Sequence, residues 1–171
     1  VNLVLGPSKE AIPTGINIIN IKTAKEMLIE IKKLKNIDIA ICAAAVSDWT
    51  IDKPSNNKIK KQNINKPVLN LSLNPDILEY ISNKNDNRPK LVIGFAAETN
   101  NLIKNAKEKL KKKNCDWIVA NDVSKNPEIF GGDNNCISLV TKNNVDDWDT
   151  CSKKEVAEKL AIKAIENFER N

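Results

Sequence analysis

The sequence predicts an α/β fold with a mainly parallel sheet and helices on both faces. Two observations support this class. Apolar runs typical of buried strands alternate with segments whose apolar residues recur at helical spacing. In addition, residues 39–49 (IAICAAAVSDW) and 91–98 (LVIGFAAE) are apolar runs that end in small residues followed by an acid. Because ligands bind at the carboxyl ends of strands in open α/β sheets, both runs are predicted to reach a ligand crevice.

The predicted elements follow one another along the chain without an internal repeat. Capping-box spacing predicts helices that begin at Thr23 with Glu26 and at Ser152 with Glu155. Asn74 followed by Pro75 predicts another helix start, with the asparagine as cap. We expect strands at residues 1–5, 16–21, from 39, 68–73, 91–98, 115–120 and 136–141, and helices from 23, from 75, over 99–113 and from 152.

The remaining long segment and the chain start complete the predicted organisation. Residues 51–67 are rich in Lys, Asn and Pro and lack an apolar period, so they are predicted to form a mobile lid. Val1 starts inside a predicted strand. We therefore expect one domain over residues 1–171, a Rossmann-like sheet whose N-terminal unit is missing.

Composition argues against several classes of function. The chain has 171 residues, 27 Lys+Arg against 22 Asp+Glu, and no histidine, so it offers no His-based triad or metal site. It contains two arginines and 4% aromatic residues, which disfavours nucleic-acid binding. Its four cysteines are far apart, which favours buried thiols in a reducing cytoplasm. No apolar run reaches the ~20 residues of a membrane span, so we expect a cytoplasmic protein and no membrane or nucleic-acid partner.

The two strand ends supply candidate ligand contacts. Asp48 follows the small residues of the first run, where its carboxylate is placed to meet a hydroxyl or a cation. In the second run, Gly94 suits a close approach of backbone. Phe95 is either a core residue or a stacking surface for a planar base, and its apolar surroundings favour the core.

Positive charge is concentrated in two places. Residues 58–61 (KIKK) lie in the predicted lid and by themselves indicate only a solvated charge run. Six lysines crowd the helix predicted over 99–113, where like charges on neighbouring turns cost roughly a few tenths of a kcal/mol per pair. A bound anion would relieve this repulsion. These lysines are Lys104, Lys107, Lys109, Lys111, Lys112 and Lys113.

Several short motifs together resemble one known family. Each motif is weak alone, but their order along nearly the whole chain is similar to that in bacterial phosphopantothenate-cysteine ligase, the synthetase half of the bifunctional coenzyme A biosynthesis protein. The motifs are AAAVSD at 43–48, KIKK at 58–61, NPDIL at 74–78, GFAAET at 94–99, Lys109 with Lys113, IVAND at 118–122 and DNN at 133–135.

The resemblance implies a ligase reaction in two steps. CTP, as co-substrate, activates the carboxylate of 4'-phosphopantothenate as an acyl-cytidylate with loss of pyrophosphate, and the amine of L-cysteine then attacks the acyl carbon. Both substrates of the first step are polyanions, so the reaction needs Mg2+ and lysines to neutralise charge. Histidine is not required. The resemblance also implies a homodimer, which we expect to contact through residues 136–141, and a fused or separate phosphopantothenoylcysteine decarboxylase.

The family's nucleotide-contacting positions, carried over by the resemblance, fall on twelve residues. Lys58 is implied as the catalytic residue, closing with the lid over the nucleotide or the acyl-cytidylate and excluding water. Asp48 is implied as a ligand of ribose hydroxyls or of the metal. The full set is Cys42, Ala43, Ala44, Asp48, Lys58, Pro75, Asp76, Ile77, Leu78, Phe95, Lys109 and Lys113.

The chain departs from the family pattern at its start. The family's first strand, its glycine-rich loop and an asparagine important for the cytidylate are not found in this sequence. This departure leaves open a non-catalytic nucleotide-binding or dimerisation module. A nicotinamide-dependent oxidoreductase is a further alternative, although no G-x-G-x-x-G turn is visible. The choice of CTP over ATP also stays open at this stage.

Overall fold

The computed structural model describes residues 1–55, 57, 68–123 and 134–169. Contacts divide the chain into two compact units, unit 1 (Val1–Leu34 and Ala44–Ile77) and unit 2 (Lys35–Ala43 and Leu78–Asn171). No helix within the described residues is long and apolar enough to cross a membrane. The elements are β1 (Asn2–Leu5), β2 (Asn17–Asn20), α1 (Ala24–Lys33), β3 (Ile39–Cys42), β4 (Trp49–Ile51), β5 (Leu71–Leu73), α2 (Ile77–Ser82), β6 (Leu91–Glu98), α3 (Leu102–Lys113), β7 (Trp117–Asp122), β8 (Asn134–Asn135), β9 (Ile137–Thr141), β10 (Val145–Asp147), β11 (Cys151–Ser152) and α4 (Lys153–Glu169).

Unit 1 contains two small two-stranded sheets and α1. The strands β1 and β2 pair in parallel, and β4 pairs with β5 antiparallel, with Trp49 opposite Leu73 and Ile51 opposite Leu71. β4 was not predicted, and β5 begins at Leu71 rather than at residue 68. A three-residue strand is too short to show an alternating pattern.

The start of α1 differs in one detail from the predicted capping box. Thr23 accepts a hydrogen bond from the Glu26 backbone N–H at 3.1 Å, as expected. The Glu26 carboxylate, however, accepts from the backbone N–H of Lys22 at 2.6 Å, one residue before the cap. The Thr23 side chain thus satisfies one of the backbone donors that a helix start leaves unpaired, and the Glu26 carboxylate pairs with the N–H of the residue before the cap.

Unit 2 is built on a five-stranded sheet of order β10-β9-β7-β6-β3. The pairs β3–β6 and β6–β7 are parallel, whereas β7–β9 and β9–β10 are antiparallel. Four strands therefore run in one direction and β9 runs in the other. The predicted α/β class and mostly parallel sheet are confirmed, but the sheet is mixed.

Helices pack on both faces of this sheet. Leu91 and Ile93 of β6 belong to a buried cluster that includes residues of α4. Because neighbouring residues of a strand face opposite sides, Gly94 faces away from α4, and there it approaches Leu78 of α2. α3, with its fully buried Ala106, packs against β6, β7 and β9. The cluster consists of Leu91, Ile93, Trp117, Val119, Ile137, Leu139, Trp148, Val156, Leu160 and Ala164.

The last helix begins with the predicted capping box. Glu155 accepts hydrogen bonds from the backbone N–H and the hydroxyl of Ser152, and its own N–H donates to that hydroxyl at 3.1 Å. These hydrogen bonds, the one from the Ser152 backbone above all, hold the pKa of Glu155 below its ordinary value. α4 runs from this cap to Glu169 and covers the cluster described above.

Candidate functional site

The strands β3, β6 and β7 end at the same edge of the unit 2 sheet. Cys42, the last residue of β3, pairs with Gly94, while β6 continues for four residues to Glu98, opposite Asp122 at the end of β7. Ala43 follows Cys42 and is exposed. The two runs that end in small residues are thus neighbours in the sheet, as a shared ligand crevice requires.

Gly94 allows the sheet and α2 to approach closely. A Cβ at this position would lie 2.6 Å from Cδ2 of Leu78 and 2.9 Å from Cδ1 of Ile118. Real Cβ contacts are longer than this, so any side chain here would push one of its neighbours. The absence of a side chain at Gly94 therefore leaves the space that Leu78, one of the expected nucleotide contacts, occupies.

Lys109 is tied to the middle of β6 by its ammonium group. Nζ donates to the carbonyl of Phe95 at 2.8 Å, one residue beyond the point where β3 stops pairing with β6. The Phe95 side chain is half-buried and packs against the cluster on the α4 face. Of the two alternatives for Phe95, its side chain therefore follows the core alternative, and its carbonyl orients Lys109.

Lys113 lies one turn further along α3 and is held by a carboxylate. Its Nζ lies 2.8 Å from Oε2 of Glu79 on α2. The Lys113 side chain is only 14% exposed, whereas that of Glu79 is 49% exposed. Lys109 and Lys113 thus share one face of α3, as their spacing predicted, and each has an acceptor from a neighbouring element.

A network around Arg88 joins the ends of α2 and α3. The guanidinium donates to the carbonyls of Ser82, Pro89 and Asn114 at 2.8, 2.9 and 3.1 Å. It also pairs with Asp116 at 3.0 Å, whose Oδ2 accepts from the Val92 backbone at 2.6 Å. The same charged group therefore touches the last residue of α2, the C-cap of α3 and, through Asp116, the start of β6.

Asn74 orders the part of the candidate set that lies in unit 1. Its backbone N–H donates to the carbonyl of Asp48 at 2.8 Å, and its side-chain amide donates to the carbonyl of Ser47 at 2.9 Å. The predicted role of Asn74 as a helix cap, with Pro75 at the first helical position, is wrong because α2 begins at Ile77. Its hydrogen bonds instead hold the backbone of Ser47 and Asp48 beside Asn74.

The remaining expected contacts differ in exposure. Asp48, Asp76 and Ala44 are exposed, Pro75 is half-buried and Ile77 is buried. Two candidate segments, residues 42–44 and 75–78, contain points at which the chain passes from one unit to the other. Lys58 and most of the predicted lid lie outside the described residues, as does Asp133 of the DNN motif.

The described residues offer no ready-made metal cage. Among them, no group of three or more His, Cys, Asp or Glu side chains could hold a metal ion. Mg2+ in nucleotide enzymes is commonly held by one or two carboxylates together with substrate phosphates. An exposed carboxylate such as Asp48 fits that second arrangement, in which the nucleotide supplies most of the oxygen ligands.

Comparison with known proteins identifies the family. Residues 1–168 match the family described as DFP, the DNA/pantothenate metabolism flavoprotein C-terminal domain. The chain belongs to this family. A curated relative, the coenzyme A biosynthesis bifunctional protein CoaBC of Borreliella burgdorferi, is 43% identical over 162 residues, which are 94% of this chain and 40% of that protein. The family assignment agrees with the resemblance seen in the sequence motifs.

Two further matches extend this comparison. A "cysteine/cysteine sulfinic acid decarboxylase" from an unknown prokaryotic organism is 38% identical over 96% of this chain and 46% of its own length. The crystal structure of the C-terminal domain of a CoaBC protein covers 99% of this chain and 75% of its own, with a TM-score of 0.79 and 29% identity. The chain therefore spans less than half the length of these curated relatives and shares the fold of a CoaBC C-terminal domain.

Sequence reasoning missed the residues that hold the expected contacts in place. Glu79 and Arg88 carry no motif, and their partners Lys113 and Asp116 are 34 and 28 positions away. The one available signal for Arg88 was its rarity, because the chain has only two arginines. Arginine presents several donors in a fixed planar arrangement, which lysine cannot reproduce, so an arginine in a lysine-rich chain indicates a position that needs several hydrogen bonds at once.

Proposed function

We propose that the protein containing this chain is a phosphopantothenate-cysteine ligase of coenzyme A biosynthesis. In this reaction a carboxylate oxygen of 4'-phosphopantothenate attacks the α-phosphorus of CTP, and pyrophosphate leaves. The amine of L-cysteine then attacks the acyl carbon, a proton is lost from nitrogen, and CMP leaves as the amide forms. Family membership supports this function, and the observation that carries it in this chain is the anchoring of Lys109 on Phe95, one residue beyond the point where β3 stops pairing with β6.

The roles of the residues follow from charge. The leaving pyrophosphate develops negative charge, which ammonium groups stabilise best when they are already oriented. Lys109 and Lys113 meet this requirement because each is held by an acceptor 2.8 Å away. We assign them to the polyphosphate of CTP, and Lys58, as the catalytic residue on the lid, to the α-phosphate or the acyl-cytidylate.

The other candidate residues are assigned to the nucleoside. Backbone groups of residues 75–78 read the edge of the base, and those of residues 42–44 meet the ribose and α-phosphate. Asp48 binds ribose hydroxyls or, with the phosphates, Mg2+. The tie from Asn74 to the Asp48 carbonyl supports this assignment because it connects two segments that must contact one nucleotide.

The activity test uses the full-length protein with Mg2+ and 4'-phosphopantothenate. Pyrophosphate should form with CTP before cysteine is added, and cysteine should then yield 4'-phosphopantothenoylcysteine. ATP and NADH in place of CTP test the base preference and the oxidoreductase alternative. Release of CO2 from cysteine sulfinate without pyrophosphate formation would instead favour the activity named for the second relative. CTP binding without pyrophosphate would favour a non-catalytic module.

The lysine assignment is tested by Lys109→Met with Lys107→Met as control. Lys107 is exposed on the same helix, so both changes remove one positive charge from α3. We expect Lys109→Met to weaken CTP binding by at least about tenfold, since a charge-assisted hydrogen bond is worth roughly 1.5–3 kcal/mol. If isothermal titration calorimetry shows that both changes weaken CTP binding equally, Lys109 contributes only through the general positive charge of α3.

We also propose that the protein is a homodimer, and that the apolar face of the β4–β5 pair contributes to it. Trp49, Ile51, Leu71 and Leu73 share this face by register and are 43–68% exposed. A two-stranded sheet is marginally stable alone, and a contiguous apolar patch indicates an interface. The contact expected through residues 136–141 stays a prediction, and β9 itself is buried and paired along both edges.

The dimer proposal is tested by measuring mass in solution. Leu73→Asp places a charge on the apolar face, at a side chain that is 68% exposed, and should yield monomers in analytical ultracentrifugation. Ile165→Asp, a change at an equally apolar side chain that is 56% exposed on α4, should leave the dimer intact. Unchanged association of the Leu73→Asp variant would exclude this face.

A further inference from the structure

The salt bridge between Glu79 and Lys113 pairs a carboxylate with an ammonium group that the proposed function assigns to the polyphosphate of CTP. Lys113 is largely enclosed, with its side chain 14% exposed, and its ammonium lies 2.8 Å from the Glu79 carboxylate. Lys109, one turn away, meets a neutral carbonyl instead. The two lysines of the proposed phosphate clamp thus differ, because only Lys113 is neutralised by a carboxylate in the described structure.

The two partners of this salt bridge differ in exposure. Glu79 is on the first turn of α2 and its side chain is 49% exposed, whereas that of Lys113 is 14% exposed. A polyanion that reaches Lys113 must take the place of the carboxylate, because both groups interact with the same ammonium.

We propose that Glu79 is a positioning residue that holds Lys113 in place of a polyphosphate and gives it up when the nucleotide binds. This inference rests on the proposed function, in which Lys113 binds the polyphosphate of CTP. The carboxylate keeps the lysine oriented before binding, and its charge opposes the incoming polyanion. Glu79 thereby lowers the affinity of the site for CTP and for the product pyrophosphate alike.

The test compares Glu79→Gln with Glu108→Gln in the full-length protein. The glutamine side chain keeps an oxygen acceptor of similar shape but loses the charge, and Glu108 is an exposed carboxylate on α3, so its variant has the same net charge. We expect Glu79→Gln to lower both the KM for CTP and the inhibition constant of added pyrophosphate about three- to tenfold relative to Glu108→Gln. This range corresponds to one repulsive charge at short distance in a hydrated site.

A double-mutant cycle shows whether Glu79 acts through Lys113. Lys113→Met should weaken CTP binding, and in that background Glu79→Gln should change the KM less than twofold. If Lys113→Met weakens binding but Glu79→Gln behaves like Glu108→Gln, or raises the KM, the inference fails while the proposed function stands. If Lys113→Met leaves CTP binding unchanged, the assignment of Lys113 to the polyphosphate fails and the inference fails with it.

Discussion

Replacement of Gly94 by alanine tests whether the sheet and α2 are in contact as closely as the structure indicates. The added methyl would lie 2.6 Å from Leu78 and 2.9 Å from Ile118. Ile118 is fully buried and Leu78 is 8% exposed, so Leu78 is the side chain that must move. Overpacking of this kind costs about 1–3 kcal/mol, which lowers the melting temperature by roughly 2–4 °C per kcal/mol for a protein of this size.

The control for this prediction is the same substitution where space exists. A Cβ at Gly6 would lie 3.8 Å from its nearest neighbour, Ile21, so Gly6→Ala should be neutral or stabilise the protein by about 0.4–1 kcal/mol. Shortening Leu78 to alanine should relieve the clash, so the Gly94→Ala/Leu78→Ala double variant should be more stable than the sum of the single changes predicts, by about 0.5–3 kcal/mol. Urea denaturation measures all four proteins. Strict additivity, or a harmless Gly94→Ala change, would refute the proposed contact.

Three further predictions follow from the surroundings of single side chains. Arg88→Lys should destabilise the protein by about 2–4 kcal/mol in urea denaturation, because lysine cannot replace several charge-assisted hydrogen bonds at once; a loss below about 0.5 kcal/mol would contradict this role. Burial raises the pKa of the Cys115 thiol to about 11. Iodoacetamide at mildly alkaline pH should therefore label the exposed Cys136 much faster than Cys115 in the folded protein. Equal labelling rates would refute the burial of Cys115. The hydrogen bond from Lys163 holds the pKa of Asp146 below its ordinary 3.8, so ionised Asp146 stabilises the fold fully above pH 3.8. The difference in unfolding free energy between the protein and its Asp146→Asn variant should disappear as pH falls through the lower folded pKa. A difference that persists in acid would argue against the pair of Asp146 and Lys163.

The long elements could be predicted from the sequence because their patterns are strong. β6 and α4, eight and seventeen residues long, were predicted within one residue of their observed starts. The short strands β4, β8, β10 and β11 have two or three residues each and were missed. The reversal of β9 was also missed, since a buried strand reads the same in either direction.

Asparagine explains some of the boundaries that sequence patterns placed wrongly. Among the described residues, four non-glycine positions have positive φ, and all four are asparagines: Asn36, Asn87, Asn101 and Asn114. Asn101 and Asn114 flank α3, which begins at Leu102 and not at residue 99. With only five glycines in the chain, asparagine takes the left-handed positions that commonly mark helix ends. The abundance of asparagine is therefore partly structural information and not only compositional bias.

The candidate site could be predicted only for residues that carry a motif. Asp48, Phe95, Lys109 and the segment 75–78 were named because they match a family pattern. The residues that hold them in place were not predicted, because a contact such as that between Arg88 and Asp116 joins residues far apart in the sequence. Spacing along one helix is readable, but pairing between two helices depends on the packing of the whole unit.

The acceptors of Lys109 and Lys113 differ in how they meet two requirements that the proposed reaction places on lysines. An ammonium group must be oriented before the nucleotide arrives, and it must be free to transfer its interaction to phosphate. A backbone carbonyl, as at Lys109, orients without adding a charge. A carboxylate, as at Lys113, orients through its charge but competes with phosphate. Since pyrophosphate must leave after the first step, a site with two carbonyl-held lysines would bind CTP tightly and also retain the product. Under the proposed function, pairing one lysine with Glu79 would favour release, so the KM for CTP and the inhibition constant of pyrophosphate should change in parallel in the Glu79→Gln variant.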